Sequence, residues 1–285
     1  MTSPSRPLPF LAPPLLIALM GTFFSTGNAC AQELLVKDGQ TVVFLGDSIT
    51  AGGAKPGGYV TLVVKGLAAN GVKITALNAG VSGNTSVDML ARLDNDVLAK
   101  KPDIMTLSCG VNDVWHVLHG VPLDQYRTNM TTMIDKAQAA KINVVILTPT
   151  LIKEADSTNS VRLEAYNDFL RALAAQRQIP LADLNADMRA IIKTNPAIPC
   201  LTTDGVHMAI RGNQMMAEGV LRSFGLNQAQ INKAREAWLD LPDTSLVEVK
   251  LTLRQFNQLL GTAGSSATNQ ASLDAFVKER ILKQQ

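Results

Sequence analysis

Residues 41–50, TVVFLGDSIT, decide the fold of this chain. The first five of them are apolar or β-branched and stop at Gly46, a pattern that predicts a short buried strand. Asp47 and Ser48 follow directly, so the serine hydroxyl would stand where this strand turns into a helix. Similar apolar runs recur along the chain, each separated from the next by an amphipathic stretch.

The alternation of strand and helix patterns continues to residue 224. The further predicted strands cover 73–77, 104–107, 143–147 and 180–183. The predicted helices cover 59–70, 86–100, 124–140, 161–178, 188–193 and 210–224. Strands that alternate with helices form βαβ units, which predicts a mainly parallel five-stranded sheet with helices on both faces. The predicted fold class is therefore a three-layer α/β/α domain.

The composition is that of a globular chain with a large core. Hydrophobic residues make up 46% and charged residues 18% of the 285 residues, and the formal net charge is +2. The chain has no basic block and only 5% aromatic residues, so it lacks the patterns typical of nucleic-acid binding.

Residues 1–31 predict an export signal. Arg6 is the only charge before an apolar stretch at 15–24, and Ala29-Cys30-Ala31 forms a small-x-small cleavage site. The stretch is short for a membrane span, so a cleaved signal is favoured over an uncleaved anchor. A lipoprotein beginning at Cys30 is disfavoured because the usual preceding leucine is missing. The predicted location is secreted or periplasmic, without stable membrane insertion.

The mature chain divides into two predicted regions. An α/β domain covers 32–225, and a mostly helical C-terminal extension covers 226–285. The extension begins with a predicted helix over 227–239 and contains a small polar linker over 261–270. It could be a packing arm, a dimer contact or a plain terminal extension, and the oligomeric state is left open.

Two cysteines, Cys109 and Cys200, remain after signal removal. In an oxidising compartment they could pair, but their separation in space does not follow from the sequence. Unpaired thiols, with Cys109 buried, are favoured because a domain of this size needs no disulfide for stability.

Four segments carry residues that suit chemistry. They cover 46–50, 78–84, 110–113 and 204–207. The first three follow predicted strands, which places them at the carboxyl edge of the sheet, where ligands bind in open α/β folds. The fourth precedes the last predicted helix of the domain, so the fold must bring it to that edge.

These segments contain a possible nucleophile and its base. A serine hydroxyl is a weak nucleophile and needs a histidine to take its proton. The chain has three histidines, His116, His119 and His207, and His207 has an acid three residues earlier, Asp204. That carboxylate can orient the imidazole and stabilise the imidazolium. Ser48, His207 and Asp204 are therefore the predicted catalytic residues.

Donors for a developing oxyanion are also present. The backbone N–H of Ser48 is one candidate, and a glycine N–H within 78–84 is a second. The side-chain amide of Asn112 is a third. Such donors stabilise the negative oxygen of a tetrahedral intermediate.

Together the four segments resemble the motif blocks of the SGNH hydrolase family, also called the GDSL family of esterases and lipases. The Gly-Asp-Ser block matches 46–48, the second block matches 78–83, Gly-x-Asn-Asp matches 110–113, and Asp-x-x-His matches 204–207. One such block occurs by chance, but four in the family's order are a specific signal.

The resemblance implies a flavodoxin-like fold and ester hydrolysis through an acyl-enzyme on Ser48. It also implies that Gly83 supplies the glycine N–H of the oxyanion hole beside Ser48 and Asn112. No cofactor is implied, and the sequence has no His-Glu-x-x-His, Cys-x-x-Cys or acidic cluster for a metal.

Further residues beside these blocks have two interpretations. Asp47, Trp115 and His116 are candidate substrate contacts; alternatively Asp47 braces its turn, and the other two, with His119, belong to a surface loop. Ser82 is a rival nucleophile, although it lacks the Gly-x-Ser-x-Gly context of an α/β-hydrolase elbow.

The substrate expected from the family and from export is a short acyl ester, most simply an acetyl ester on a carbohydrate. One alternative is a lysophospholipase or thioesterase that acts on longer acyl chains. A second is a non-catalytic carbohydrate-binding protein on the same fold, which the complete set of four blocks disfavours. A sugar acetyltransferase would need a donor site that the sequence does not show.

Overall fold

Strand β1 (Thr41–Gly46) lies between two other parallel strands, as its uninterrupted apolar run predicts. The computed structural model describes residues 34–115, 120–153, 158–195, 201–239 and 241. The other strands in this part of the chain are β2 (Thr75–Gly80), β3 (Ile104–Ser108), β4 (Asn143–Leu147) and β5 (Leu181–Ala182). They form one parallel sheet in the order β2-β1-β3-β4-β5, which is the flavodoxin-like order.

Helices cover both faces of this sheet. Their bounds are α1 (Ser48–Gly53), α2 (Tyr59–Ala69), α3 (Ser86–Asp96), α4 (Val111–Trp115), α5 (Leu123–Ala139), α6 (Thr158–Arg177), α7 (Leu184–Thr194), α8 (Ile210–Ser223) and α9 (Gln228–Leu239). One group packs together as α2, α8 and α9, and another as α3, α5 and α6. The predicted three-layer α/β/α class with a five-stranded parallel sheet is confirmed.

The predicted end of the second strand was wrong. Asn78, Ala79 and Gly80 belong to β2, where they pair with residues 44–46 of β1, and not to the following loop. Strand β2 is an edge strand whose residues are all partly or fully exposed. Its last residues therefore need not be apolar, so the apolar run in the sequence ends before the strand does.

Several helix bounds also differ from the prediction. Helix α7 begins at Leu184 and not at 188, because the Asp183 side chain caps it by accepting from the N–H of Ala186. Helix α3 ends at Asp96, and a separate 3₁₀ turn, Leu98–Lys100, follows it. The short helix α4 lies in a segment that the sequence predicts only as a loop, whereas α1 begins at Ser48, where the sequence predicts the turn into a helix.

Helix α9 lies in the predicted C-terminal extension and packs against α2 and α8. Ile231, Ala234 and Trp238 are its buried residues. The indole N–H of Trp238 donates to the carbonyl of Leu62 on α2 at 2.8 Å. This first part of the extension therefore contributes to the core, while residues 242–285 lie outside the described residues.

Two other predictions concern residues that are only partly described. The export signal over 1–31 and Cys200 lie outside the described residues. Cys109 has a free thiol that is buried beside the end of β3. Among the described helices, none has the length and apolarity that a membrane crossing requires.

We expect Trp238→Ala to lower the free energy of unfolding by about 3–5 kcal/mol, because it leaves a cavity between α2 and α9. The neighbouring Leu239 is the matched control, since it is 74% exposed and Trp238 only 6%. Leu239→Ala should change stability by no more than about 0.5 kcal/mol. Urea unfolding measures both, and equal effects of the two substitutions would show that α9 is not part of the core.

Candidate active site

Ser48 is the first residue of α1, and two local features place it there. The buried carboxylate of Asp47 caps the helix by accepting from the N–H of Ile49 at 2.9 Å. Gly46 allows the helix to fold back directly on β1, because a Cβ at this position would lie 2.1 Å from Oγ1 of Thr50. The serine therefore stands at the carboxyl end of β1, between the ends of β2 and β3.

Asp204 and His207 lie in a tight turn between residues 201 and 209. The arms of the turn are joined by an antiparallel bridge between Thr202 and Met208 and by a 2.9 Å bond from the N–H of Ala209 to the Leu201 carbonyl. Within the turn, Oδ1 of Asp204 accepts from the backbone N–H of His207 at 2.8 Å. The acid and the imidazole are thus held at a fixed spacing.

The turn brings the imidazole to the serine. Nε2 of His207 lies 2.9 Å from Oγ of Ser48, and Nδ1 lies 2.7 Å from Oδ2 of Asp204. The bond to His207 is the main reason that the pKa of Asp204 falls to about 2. An ionised carboxylate can only accept, so Nδ1 of a neutral imidazole donates and Nε2 is left to accept the serine proton. About half of each side chain, 48% for His207 and 56% for Asp204, is exposed.

The loop between β2 and α3 lies on the other side of Ser48. Gly83 adopts φ +81°, a left-handed conformation that favours glycine. The Asn112 side chain, at the start of α4, donates one amide hydrogen to the carbonyl of Asn84 at 3.0 Å. Only 7% of Asn112 is exposed. This bond fixes the orientation of the amide and leaves its second hydrogen unused by Asn84.

Arg92 is a positioning residue that the sequence does not reveal. Its guanidinium donates to the Gly46 carbonyl at 2.9 Å and to Oδ1 of Asn84 at 2.6 Å. It therefore ties the end of β1 to the loop after β2. Arg92 and Asp96 stand four residues apart, which is the spacing of an ordinary surface ion pair on a helix, and they form this pair in the structure. The sequence therefore predicts only the ion pair and not the positioning role.

Asn213 on α8 is a second such residue. Its Nδ2 donates to the carbonyls of Met208 and Ala209, both at 3.1 Å, and its Oδ1 accepts from the N–H of Tyr59 at 3.0 Å. The residues that follow His207 are thereby joined to the first residue of α2. The sequence gives one signal for this role: Asn213 is a polar residue on the core side of a predicted amphipathic helix.

Two buried carboxylates lie behind the serine. Burial raises the pKa of Asp47 to about 6, and burial also raises the pKa of Asp113. Asp113 accepts from the backbone and the hydroxyl of Ser86. Because only 2% of Asp47 is exposed, the structure favours its role as a brace of the turn over the alternative that it contacts substrate.

A cavity of about 1020 Å³ opens at Ser48 and His207. Its walls are the loop between α1 and α2 on one side and the start of α8 on the other. The lining residues include Ser82 but not Trp115, which is half-buried and packs against the core. His116 lies outside the described residues. Within the described ranges, no three His, Cys, Asp or Glu side chains are grouped so that they could hold a metal ion.

Comparison with known proteins assigns the family. The profile of the GDSL-like lipase/acylhydrolase family matches residues 44–215. The chain belongs to this family. An acetylxylan esterase of Geobacillus stearothermophilus is 30% identical over 213 residues, which are 67% of this chain and 96% of that protein. Esterase TesA of Pseudomonas aeruginosa is 29% identical over 208 residues, which are 72% of this chain and 94% of that protein.

Solved structures of family members have the same fold. The acetyl xylan esterase AlAXEase is 34% identical with a TM-score of 0.60, over 64% of this chain and 98% of that protein. Axe2, an acetylxylan esterase from Geobacillus stearothermophilus, is 28% identical with a TM-score of 0.61, over 68% and 98%. Its catalytic mutants replace a serine, an aspartate and a histidine, the last two three positions apart.

These findings confirm the predicted family and enzyme class. The protein is a serine carboxylic ester hydrolase of the GDSL family. A non-catalytic binding protein, one of the alternatives that the sequence left open, is therefore not retained.

The buried Asp47 should give the GDSL hydrolase a measurable pH dependence of stability. The folded protein keeps this proton up to about pH 6, whereas the ordinary pKa is 3.8. Between these values the unfolded chain binds fewer protons, so Asp47 makes stability fall as pH rises. We expect the stability of the wild type relative to Asp47→Asn to decrease from about pH 4 to about pH 6 in urea unfolding.

Asp88 provides a control of opposite sign. Its pKa is lowered, first by the hydrogen bond from the Thr85 N–H. A carboxylate with a lowered pKa adds stability above its unfolded pKa and loses it as pH falls. The wild type should therefore gain stability relative to Asp88→Asn as pH rises through the acid range. The same slope for both variants would contradict the raised pKa of Asp47.

Proposed function

We propose that Ser48 is the nucleophile of this esterase, with His207 as its base and Asp204 as the group that orients His207. The observation that carries the proposal is the unbroken chain from Oγ of Ser48 to Nε2 of His207 at 2.9 Å and from Nδ1 to Asp204 at 2.7 Å. The ionised carboxylate of Asp204 can only accept, so a neutral imidazole donates to it from Nδ1 and presents Nε2 to the serine proton.

The proposed reaction has two halves. The Ser48 oxygen attacks the ester carbonyl carbon while its proton moves to Nε2 of His207. The tetrahedral intermediate then collapses to an acyl-serine, and the imidazolium gives its proton to the departing alcohol. In the second half, His207 takes a proton from the water that attacks the acyl-serine, and the imidazolium returns this proton to Oγ of Ser48 as the acid leaves.

Three donors would stabilise the oxyanion in both halves. The N–H of Ser48 is at the first position of α1 and has no acceptor within the helix. The second donor is the N–H of Gly83, and the third is the amide hydrogen of Asn112 that Asn84 does not use. Loss of one such donor costs on the order of 3 kcal/mol of transition-state stabilisation.

We propose that the substrate is a short acyl ester, with acetyl as the acyl group and a carbohydrate as the alcohol. The similarity to two acetylxylan esterases supports this choice. The cavity of about 1020 Å³ has room for far more than an acetyl group, as a saccharide alcohol requires. The proposed location is secreted or periplasmic, on the basis of the predicted signal over 1–31.

A second candidate is hydrolysis of longer acyl chains, as in a lysophospholipase or thioesterase. Apolar side chains in the cavity favour it, among them Ile49, Met208 and Ile210. Ile210 is 45% exposed, so an acyl chain in the cavity could reach its side chain.

Replacement of Ser48 tests the assignment of the nucleophile. We expect Ser48→Ala to lower the turnover of 4-nitrophenyl acetate by at least about 10⁴-fold, since no other group can form the acyl-enzyme. Circular dichroism should show that the fold is retained.

Ser82 is the matched control because it also lines the cavity. Ser82→Ala should keep turnover within about tenfold of the wild type, since no part of the reaction passes through its hydroxyl. Loss of activity in the Ser82 variant with activity kept in the Ser48 variant would reverse the assignment.

A series of esters tests the choice of acyl group. We expect kcat/KM to be highest for acetyl and to fall for octanoyl and longer esters of the same alcohol. The physical reason is that the cavity would hold the saccharide and not the acyl chain. A rise in kcat/KM with chain length would instead support the lysophospholipase or thioesterase candidate.

A further inference from the structure

Apart from the catalytic pair of His207 and Asp204, the charged side chains described at the cavity are both cationic. Lys55, from the loop between α1 and α2, and Arg211, from the first turn of α8, line it together with His207. Among the described residues that line the cavity there is no Asp or Glu. A wall that carries cations without carboxylates produces a positive potential, which low-dielectric surroundings focus into the cleft.

Neither cation is neutralised by the protein within the described part of the chain. Arg211 is half-buried, and its guanidinium donates to the neutral side-chain amide oxygen of Gln214 at 3.3 Å. Lys55 is exposed and has no carboxylate within ion-pair distance there. Arg222, at the other end of the same helix, instead forms an ion pair with Asp187.

The two cations stand on opposite walls of the cavity, and both walls are tied to the catalytic segment. Lys55 follows Ser48 by seven residues, and Arg211 follows His207 by four. The side chain of Asn213 joins the walls, since it bonds both to the residues after His207 and to the N–H of Tyr59. A ligand whose ester lies on Ser48 would therefore extend between Lys55 and Arg211.

We propose that the alcohol part of the substrate is anionic: a saccharide that carries a carboxylate in addition to its acyl ester. This inference rests on the proposed function, because it concerns the group that leaves Ser48. A carboxylate matches the planar fork of the Arg211 guanidinium in a bidentate geometry, and the Lys55 ammonium adds a second charge on the facing wall. The cavity volume admits a sugar ring between them.

Three matched substrates test the proposal: the mono-O-acetate of methyl glucoside, the corresponding glucuronide and the corresponding sugar phosphate. Release of acetate gives kcat/KM for each. We expect the glucuronide to exceed the neutral glucoside by about three- to tenfold at low salt, which is the range that two partly exposed ion pairs provide. The advantage should shrink as the ionic strength rises.

The variants are read as ratios between two substrates, which do not depend on the fraction of enzyme that is folded. In Lys55→Gln/Arg211→Gln the ratio of glucuronide to glucoside should fall to about one, and charge reversal by Lys55→Glu should lower it further. Lys65→Gln is the control, because it removes a positive charge from an exposed lysine on α2 that does not line the cavity. It should leave the ratio unchanged.

The outcomes separate this inference from the proposed function. Equal kcat/KM for glucuronide and glucoside, or a ratio that survives the double substitution, would overturn the inference while the esterase mechanism stands. A clear preference for the sugar phosphate would overturn the choice of a carboxylate. If none of the three acetates is hydrolysed while 4-nitrophenyl acetate is, both the proposed saccharide substrate and this inference are overturned, although the esterase activity stands.

Discussion

The parallel pairing of β1 with both of its neighbours determines where everything else in the site can lie. Leu45 pairs with Ala79 on one side and with Leu107 on the other, so the three strands end at nearly the same level of the sheet. The segments that follow them therefore meet without long connections. The serine, the loop with Gly83 and the start of α4 are brought together by backbone register, before any side-chain contact is made.

The imidazole reaches this edge in a different way. His207 lies 159 residues from Ser48 and belongs to no strand. Its position depends on the closed turn over 201–209 and on α8, which packs against α2 and is joined to it by Asn213. The distance between base and nucleophile thus depends on packing between helices, which a change far from the chemistry could disturb by a few tenths of an ångström.

This division explains how much the sequence could reveal. The central strands and the four reactive segments were predicted, because buried parallel strands are apolar runs and because serine, histidine and acid types limit the possible chemistry. Arg92 and Asn213 were not, since their partners are backbone carbonyls and N–H groups that only the folded chain brings near. The raised pKa of Asp47 depends on complete burial, which a polar residue in a turn does not signal.

Charge is separated across the nucleophile, and the reaction can use this separation. The carboxylates of Asp47 and Asp204 act on His207, so the imidazolium formed during attack is stabilised from behind and from its side. The cations Lys55 and Arg211 line the cavity in which the proposed alcohol would lie. A negative charge on that alcohol would hold it between the two walls. It would not destabilise the negative oxyanion, because Lys55 and Arg211 compensate it locally. The same arrangement would slow the hydrolysis of a cationic alcohol ester, so the substrate charge is selected by repulsion as well as by attraction.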